Sequence, residues 1–376
     1  MKIPVRILHL AKYYPPEQGG MESVTQILAE GVLDQDHAVE VLCFTKTKAA
    51  VESIAGVKIT RAKVALEKAS QPLGWAYFWQ GLRKARQADI VHLHAPNLLA
   101  SVQSLLLPTR TRLLVHWHSD IIGKGLLGRV VRPLERRMLA RANIVIATSP
   151  TYAASSPLLR SVATKTQVIP IGIPTPPCKN STKAERDFDD FLRGRPLVLA
   201  LGRLVPYKGF ATLIEAAREL PEHCAIIIGG AGPLDTELRN LIAANRLENR
   251  ILMAGRLSNA ELNLLFAKAM CFCLPSVERS EAFGVVLLEA MARGVPCIAT
   301  TIEGSGTAWV NEHQTSGLNV PPAEPSALAE ALRTLLDDPL LTQRLGEGAR
   351  KRFNSLFSAE RFVIATQKSY SQLLRE

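Results

Sequence analysis

The sequence predicts an α/β protein built from two doubly wound domains, and three observations carry that prediction. Short β-rich runs alternate with helical patterns throughout, the alternation restarts after a polar break, and 376 residues are long for one hydrophobic core. VRILHLA is followed by the amphipathic MESVTQILAEGVL, DIVHLHA by NLLASVQSLLL, and NIVIATS by PTYAASSPLL. After VIPIGIPTPPCKNSTKAERD, dense in Pro, Thr, Ser and charge, PLVLALGRL opens a second series. It runs through a helix near 209–219, CAIIIGG, a helix near 234–246, RILMAGRL, CFCLPS and VPCIAT. The expected division is 1–180 and 181–376, joined within 171–195, with the final helix free to pack back on the first domain.

The first run, MKIPVRILHLAKYYPP, reads as a buried strand. Its apolar core is too short for a membrane span, and it breaks at a proline pair without a small-residue cleavage site. No run of 18 apolar residues occurs elsewhere, so a cytoplasmic location is expected, at the inner face of the plasma membrane if the protein docks there. The six cysteines, 43, 178, 224, 271, 273 and 297, form no CxxC pair and sit mostly in apolar runs, as reduced buried thiols do. Charge is uneven. Residues 1–184 hold 24 Lys and Arg against 11 Asp and Glu, and the rest hold 21 against 23, so +13 and −2 make the net +11. The basic excess of the first half points to an acidic partner, such as anionic lipid or nucleic acid.

Ligands of doubly wound sheets bind beyond the carboxyl ends of the strands. There LVLALG runs into RLVPYKGF, placing Arg203 and Lys208 where two cations suit a diphosphate, or where they are merely solvated. AIIIGGAGP brings Gly229, Gly230 and Gly232 before a helix but has Asp235 where a dinucleotide fingerprint needs its third glycine; a tight turn accounts for it, with phosphate contact second. In SEAFGVVLLEAMARG a helix is expected to start near Phe283 or Gly284 and to stop at Gly294. Glu281 precedes that start, where an acid is favourable locally. Glu289 falls inside an otherwise apolar helix, so it needs either donors such as ribose hydroxyls or a structural ion pair.

Taken together, EAFGVVLLE preceded by GRLVPYKG and GGAGP, with YYPPEQGGMESV and HWHSDI in the first half, resembles the retaining family 4 glycosyltransferases of GT-B fold. The resemblance covers essentially the whole chain and is nearest to bacterial mannosyltransferases of lipopolysaccharide O-chains, through HWHSDI, VIPIGI and the Gly-Ser-Gly-Thr turn. It implies two Rossmann-like domains facing across a cleft and transfer of a hexose from a nucleoside-diphosphate sugar to a hydroxyl of a lipid-linked saccharide. GDP-mannose or a GDP-deoxyhexose is favoured over UDP sugars, and no cofactor or metal is required.

The same resemblance implies residue roles. Glu281 would contact hydroxyls of the transferred sugar, and Phe283, Gly284 and Val285 would lie around the donor with backbone N–H groups turned to it. Glu289 would hold the ribose, Arg203 and Lys208 the diphosphate, and Arg256 and Leu257 the base. Gly232 belongs to the donor loop, and Gly19 and Gly20 to the first-domain loop that lets phosphates come close. His118 would lie near the reacting sugar. Asp120 would orient an acceptor hydroxyl or cap the following segment.

Two departures from the family pattern stand out: Ala282 in place of a glycine, and TTIEGSGTAWV in place of a glycine pair with a following acid.

Rival readings accompany these. His92, His94, His116 and His118 suggest zinc as well as hydrogen-bonded residues near a sheet end. LGWAYFWQGLRKAR, with Trp75, Tyr77, Phe78 and Trp79 ahead of Arg83, Lys84 and Arg86, and KGLLGRVVRPLERRMLAR, with six basic residues, suit an anionic membrane surface or an ordinary half-packed helix. A nucleotide-sugar epimerase of the same fold is a second enzyme class. A basic nucleic-acid-binding protein is a third reading, and it lacks stacking aromatics or a groove-reading motif.

Overall fold

The computed structural model describes residues 4–375, apart from 18, 35, 69–70, 122–124, 177–185 and 187; of 125–130 it describes the helical backbone only. The chain forms two compact units, Met1–Pro174 with Ser358–Glu376, and Thr175–Phe357. The sequence reading put the division at 180/181 and left the last helix open. Residues 177–185 and 187 of the polar joint, Cys178 among them, lie outside the described residues.

In the first unit the strands are β1 (Val5–Leu10), β2 (His37–Thr45), β3 (Ala50–Ile54), β4 (Val57–Lys63), β5 (Leu66–Lys68), β6 (Gln71–Leu73), β7 (Ile90–Ala95), β8 (Arg112–Trp117), β9 (Ile144–Ala147) and β10 (Thr166–Val168). β5 and β6 form a separate hairpin; the other eight form one sheet in the order β10-β9-β8-β7-β1-β2-β4-β3. Every pairing in that sheet is parallel except β3 on β4. β7 is buried at every residue, as expected of a central strand covered on both faces. Between the first two strands, helix Gly20–Val32 buries Val24, Thr25, Leu28, Ala29 and Val32, one stripe at helical spacing.

Helix Ala359–Arg375 belongs to this unit for identifiable reasons. The Ala359 N–H donates to the Ile173 carbonyl (2.9 Å), and Gly172 lies so close to Ser358 that a Cβ there would meet its carbonyl oxygen at 2.3 Å. Farther along, Tyr370 Oη reaches His92 Nδ1 (2.5 Å) and Ser369 Oγ donates to Gln167 (2.7 Å).

The second unit holds β11 (Leu197–Leu201), β12 (Ala225–Gly229), β13 (Ile251–Gly255), β14 (Ala269–Leu274), β15 (Cys297–Thr300) and β16 (Gly317–Val320), all parallel, in the order β13-β12-β11-β14-β15-β16. Its core joins Val198, Ile226, Ile228 and Cys273 of the strands to Leu213, Leu238, Leu328 and Leu332 of the covering helices. All five described cysteines are free and buried, and burial pushes their thiols up, out of reach of neutral-pH ionisation.

In each sheet the chain works outward from one central strand and then outward in the opposite direction from its neighbour. The reversals fall between β1 and β7 and between β11 and β14. Such points open a crevice at the carboxyl ends of the strands, and both units place their predicted residues there.

Candidate active site

At the reversal of the second sheet, the loop after β11 carries Lys208 and the loop after β14 carries Glu281. They meet: Lys208 Nζ lies 2.5 Å from Glu281 Oε2, with both side chains about a tenth exposed (12% and 11%). Ser276 Oγ donates to the same carboxylate oxygen (3.1 Å). Gly209, at φ 66°, turns the chain directly after Lys208, and a Cβ there would collide with the Pro275 carbonyl at 2.0 Å. Only glycine lets the two loops approach closely enough to form the pair. An ammonium has three donors, so Lys208 holds Glu281 with one and keeps others for a further anion.

The Glu281 main chain is fixed by residues that sequence reasoning had set aside as a departure. Ser305 Oγ donates to the Glu281 carbonyl, and the Gly306 N–H donates to the Ala282 carbonyl (2.8 Å). Thr307 Oγ1 donates to the Thr300 carbonyl (3.0 Å), and Thr300 Oγ1 to the carbonyl of Ser276. The Gly-Ser-Gly-Thr turn is therefore the buttress of the acid, and Ser276, Thr300, Ser305 and Thr307 were missed as site residues. The available signal was the placement of small hydroxyl residues at or just past two strand ends, Ser276 after β14 and Thr300 at the end of β15.

Past Ala282, Phe283 is buried edge-on against Phe357 (centroids 6.0 Å apart). Gly284 takes φ 79°, ψ 54° as the N-cap of helix Val285–Ala292, and Gly294 at φ 75° ends the turn beyond it. Glu289 is half-buried on this helix. Burial raises its carboxyl above the usual range, opposed by the charge of Arg293. Arg293, though, donates to the backbone carbonyl of Glu289 (2.9 Å) and to Asn263, and stacks over Phe266 at 4.6 Å. No hydrogen bond reaches the Glu289 carboxylate from the described residues, so the structural ion pair weighed against a ligand role is at most a through-space one.

Other predicted residues of this unit spread around the same strand ends. Arg203 is exposed, without a side-chain partner among the described residues. Gly232 packs on the neighbouring loop: a Cβ would meet the Leu204 carbonyl at 2.3 Å, and the Leu204 N–H donates to the Ala231 carbonyl (3.1 Å). Close backbone packing thus accounts for the GGAGP loop. Arg256 is exposed and Leu257 half-buried over Gly229. Arg186 donates to Glu261 (2.5 Å) and to the carbonyls of Ala254 (2.6 Å) and Arg256 (2.8 Å). Arg186 holds the Glu261 carboxyl down at about 2. Arg186 lies in the polar joint, where local composition gives no sign of these long-range partners.

In the first unit Gly19 is the exposed N-cap of helix Gly20–Val32, and Gly20 its first residue. The strand ends at this reversal carry five buried histidines, because parallel register sets His9 beside His92 and His94 beside His116. Their rings stack, His92 on His94 (4.5 Å, 7°) and His116 on His118 (4.3 Å, 3°). Burial holds all five neutral: His9 falls to about 3, His118 to about 3 with help from the Lys12 charge, and the others well below their usual value. Two triads, His9-His92-His94 and His94-His116-His118, bring donor atoms within 4.8 Å of one another. Zinc needs lone pairs converging at about 2.0–2.1 Å. Near-parallel stacked rings do not converge, and His94, common to both triads, already spends both nitrogens on neighbouring histidines (3.0 and 3.1 Å). The geometry fits a hydrogen-bonded stack. Asp120 Oδ1 accepts from Trp117 Nε1 (2.9 Å) and Ser156 Oγ (2.8 Å), which ties the loop after β8 to the segment that follows β9.

The two proposed membrane segments are less uniform than their sequences suggest. Tyr77 is wholly buried, stacked on Phe44 at 4.0 Å with its hydroxyl on the Ala11 carbonyl (3.1 Å), and Lys84 pairs with Glu40 (2.5 Å). Trp75 and Trp79 are 77% and 63% exposed, beside exposed Arg83 and Arg86. In the second segment Arg132, Arg136 and Arg137 are exposed and Arg141 is tied to the carbonyls of Pro108 and Thr111; the side chains of 124–130 lie outside the described residues.

Residues 19–172 match a glycosyl transferase 4-like domain and residues 182–352 match glycosyl transferases group 1. O-antigen chain mannosyltransferase C of Escherichia coli is 31% identical over 98% of this chain and 99% of its own. D-rhamnosyltransferase WbpZ of Pseudomonas aeruginosa is 33% identical over 94% of this chain and 93% of its own. Among solved structures, Anabaena HepE in complex with UDP superimposes with a TM-score of 0.77 at 22% identity, covering 98% of this chain and 100% of that one. Sucrose-phosphate synthase of Thermosynechococcus elongatus does so with 0.79 at 23%, covering 99% of each. With its two parallel-sheet units of GT-B type, the chain belongs to the glycosyltransferase family that the group 1 and 4-like domains define.

Proposed function

We propose that this glycosyltransferase moves a hexose, mannose or a deoxyhexose, from a nucleoside-diphosphate sugar to a hydroxyl of a lipid-linked saccharide, with retention of anomeric configuration, in O-antigen-type polysaccharide synthesis. The observation that carries the reading is the Lys208–Glu281–Ser276 cluster at the strand-order reversal of the second unit, next to the N-terminus of helix Val285–Ala292. The names of the two relatives, a mannosyltransferase and a rhamnosyltransferase, support the sugar class and the setting. GDP is our choice of leaving group, and the UDP bound to HepE marks the alternative.

In this reading Lys208 and Arg203 meet the diphosphate, and backbone N–H groups around Phe283, Gly284 and Val285 add to the field that stabilises it. Glu281 accepts from sugar hydroxyls while its own charge is balanced by Lys208. Glu289 takes the ribose hydroxyls, which supply the donors its half-buried carboxylate lacks. Arg256 and Leu257 flank the base. Gly19, Gly20 and His118 serve the first-unit side of the reaction. The acceptor oxygen bonds to the anomeric carbon as the bond from that carbon to the phosphate oxygen breaks, and the departing diphosphate takes the acceptor proton. Positioning and charge stabilisation are the protein's contributions, and no metal is required.

A panel of GDP-mannose, GDP-rhamnose, UDP-glucose and UDP-N-acetylglucosamine, scored by thermal unfolding, tests the donor. A true donor at 100 times its dissociation constant stabilises by about 2.7 kcal/mol. Anomeric coupling constants of the product read retention directly. Equal response to all four sugars, or an isomerised sugar formed without acceptor, sinks the reading in favour of nonspecific binding or epimerisation.

We propose also that the first unit docks on anionic membrane through Trp75 and Trp79 with Arg83 and Arg86. Two tryptophans one helical turn apart with most of their surface in water suit a headgroup layer, and the +13 of the first half supplies the attraction. No helix among the described residues is long and apolar enough to cross a membrane.

A further inference from the structure

Three of the five buried histidines are joined in a line. His9 Nδ1 lies 3.0 Å from His94 Nε2, and His94 Nδ1 lies 3.1 Å from His118 Nε2. His94 is wholly buried and uncharged, so it carries one ring proton. A neutral ring in the middle of such a line donates with one nitrogen and accepts with the other. The three rings must then agree: all carry the proton on Nδ1, or all carry it on Nε2.

The ends of the line choose between these. At the inner end His9 Nε2 is buried without a partner. At the outer end His118 Nδ1 has no partner among the described residues and is not among the buried unpaired atoms, so it is the end that opens outward. With protons on Nε2 the inner end would add a further N–H donor buried without an acceptor to the one that neutral His116, unpaired at both ring nitrogens, already carries, and each such donor is costly. With protons on Nδ1 the inner end is a bare acceptor and the outer end a donor. Neighbouring rings hold these in place: His92 lies 4.7 Å from His9 at a tilt of 30°, and His116 stacks 4.3 Å from His118. Tyr370 anchors His92 from the last helix.

We propose that His9 and His94 are positioning residues that lock the His118 imidazole with its proton on Nδ1, so that it presents a fixed N–H donor to an oxygen of the bound nucleotide sugar. The contact with the sugar rests on the proposed function; the locked tautomer does not, and it is readable in the unliganded protein.

Histidine-labelled protein at pH 7 gives the ring ¹⁵N shifts and long-range couplings of each imidazole. The expected pattern is protonated Nδ1 in His9, His94 and His118 together. His9→Leu, which removes the first donor, should change the His118 pattern although His9 lies two rings away. With GDP-mannose as the donor probe, it should lower kcat at least about tenfold while leaving KM for the donor within about threefold. His9→Asn places an amide N–H near the Nδ1 position and should restore both the pattern and kcat. Protonated Nε2 at His118, three rings of mixed sense, or a His118 pattern indifferent to His9→Leu overturns the proposal. If His9→Leu does not fold, the wild-type pattern and that of His9→Asn decide it. If the protein transfers none of the sugars, the spectra still read the lock.

Discussion

The two strand-order reversals share one topology and almost nothing else. In the first unit the crevice at β1 and β7 is lined by uncharged, stacked imidazoles, three of them joined by hydrogen bonds. In the second, the crevice at β11 and β14 holds a lysine, a glutamate and a set of hydroxyls. The fold dictates where a ligand can sit. The side chains decide that the first crevice presents neutral groups and the second fixed charge.

The sharpest way to break this contrast is to uncharge the second crevice. Lys208→Met strands the Glu281 carboxylate, and removing one partner of a pair this buried costs about 3 kcal/mol. If Lys208 meets the diphosphate as proposed, transfer should fall by at least about 100-fold, because charge on the departing group loses one of its cations. The double variant Lys208→Met with Glu281→Gln should regain most of the stability and none of the rate. Thermal unfolding and steady-state kinetics on the three proteins separate the two effects. Recovery of rate in the double variant would show that the pair is structural alone.

Next in size is the buttress. Ser305→Ala leaves the Glu281 carbonyl and the Thr307 N–H without their hydroxyl partner, a loss of about 1–3 kcal/mol for buried groups. Donor affinity should weaken with it, since the acid is aimed by its main chain. A variant as stable as the parent would mean that the turn carries no load at the site.

Glu289 gives an effect of opposite sign. Its folded carboxyl is raised by burial, whereas in the unfolded chain it titrates near 4.3. At low pH both states hold the proton and nothing is lost; as pH rises, the unfolded chain ionises first and the unliganded fold is penalised until Glu289 ionises too. Glu289→Gln should therefore raise the unliganded Tm at neutral pH, with no gain at pH 4, while reducing the shift given by nucleotide sugar. A lower Tm at neutral pH would instead identify Glu289 as a structural partner of Arg293.

Much of the second crevice was legible from the sequence, because its residues are consecutive. Glu281, the helix start at Phe283–Gly284 and Glu289 lie within one loop and one helix, where spacing alone gives position. What binds them together was not legible. Lys208 meets Glu281 across 73 positions, and Arg186 meets Glu261 across 75. Ser305 was read as a departure from a pattern rather than as the hydroxyl that holds the acid. In the first crevice the paired H-x-H runs were visible, but their order of contact depends on register between strands, and His9 carried no local signal. Tyr77 and Lys84 were grouped with the exposed tryptophans by composition, yet helical periodicity turns them to Phe44 and Glu40.

The smallest structural effect is expected at the tryptophans, and that is why they are informative. With 77% and 63% of their surface in water, Trp75→Ser and Trp79→Ser remove little packing, so the Tm should move by no more than about 0.5 kcal/mol allows. Their neighbours Tyr77 and Gly81 are among the residues that attach the helix to the unit, the first through Ala11 and the second by admitting Gln103. If the exposed pair serves a membrane, the double variant should lose flotation with vesicles containing anionic lipid while retaining transfer to a water-soluble acceptor. High salt should release the parent protein only partly, since the aromatic contribution is not screened. Parent protein that stays wholly in the soluble fraction with such vesicles would remove the membrane reading.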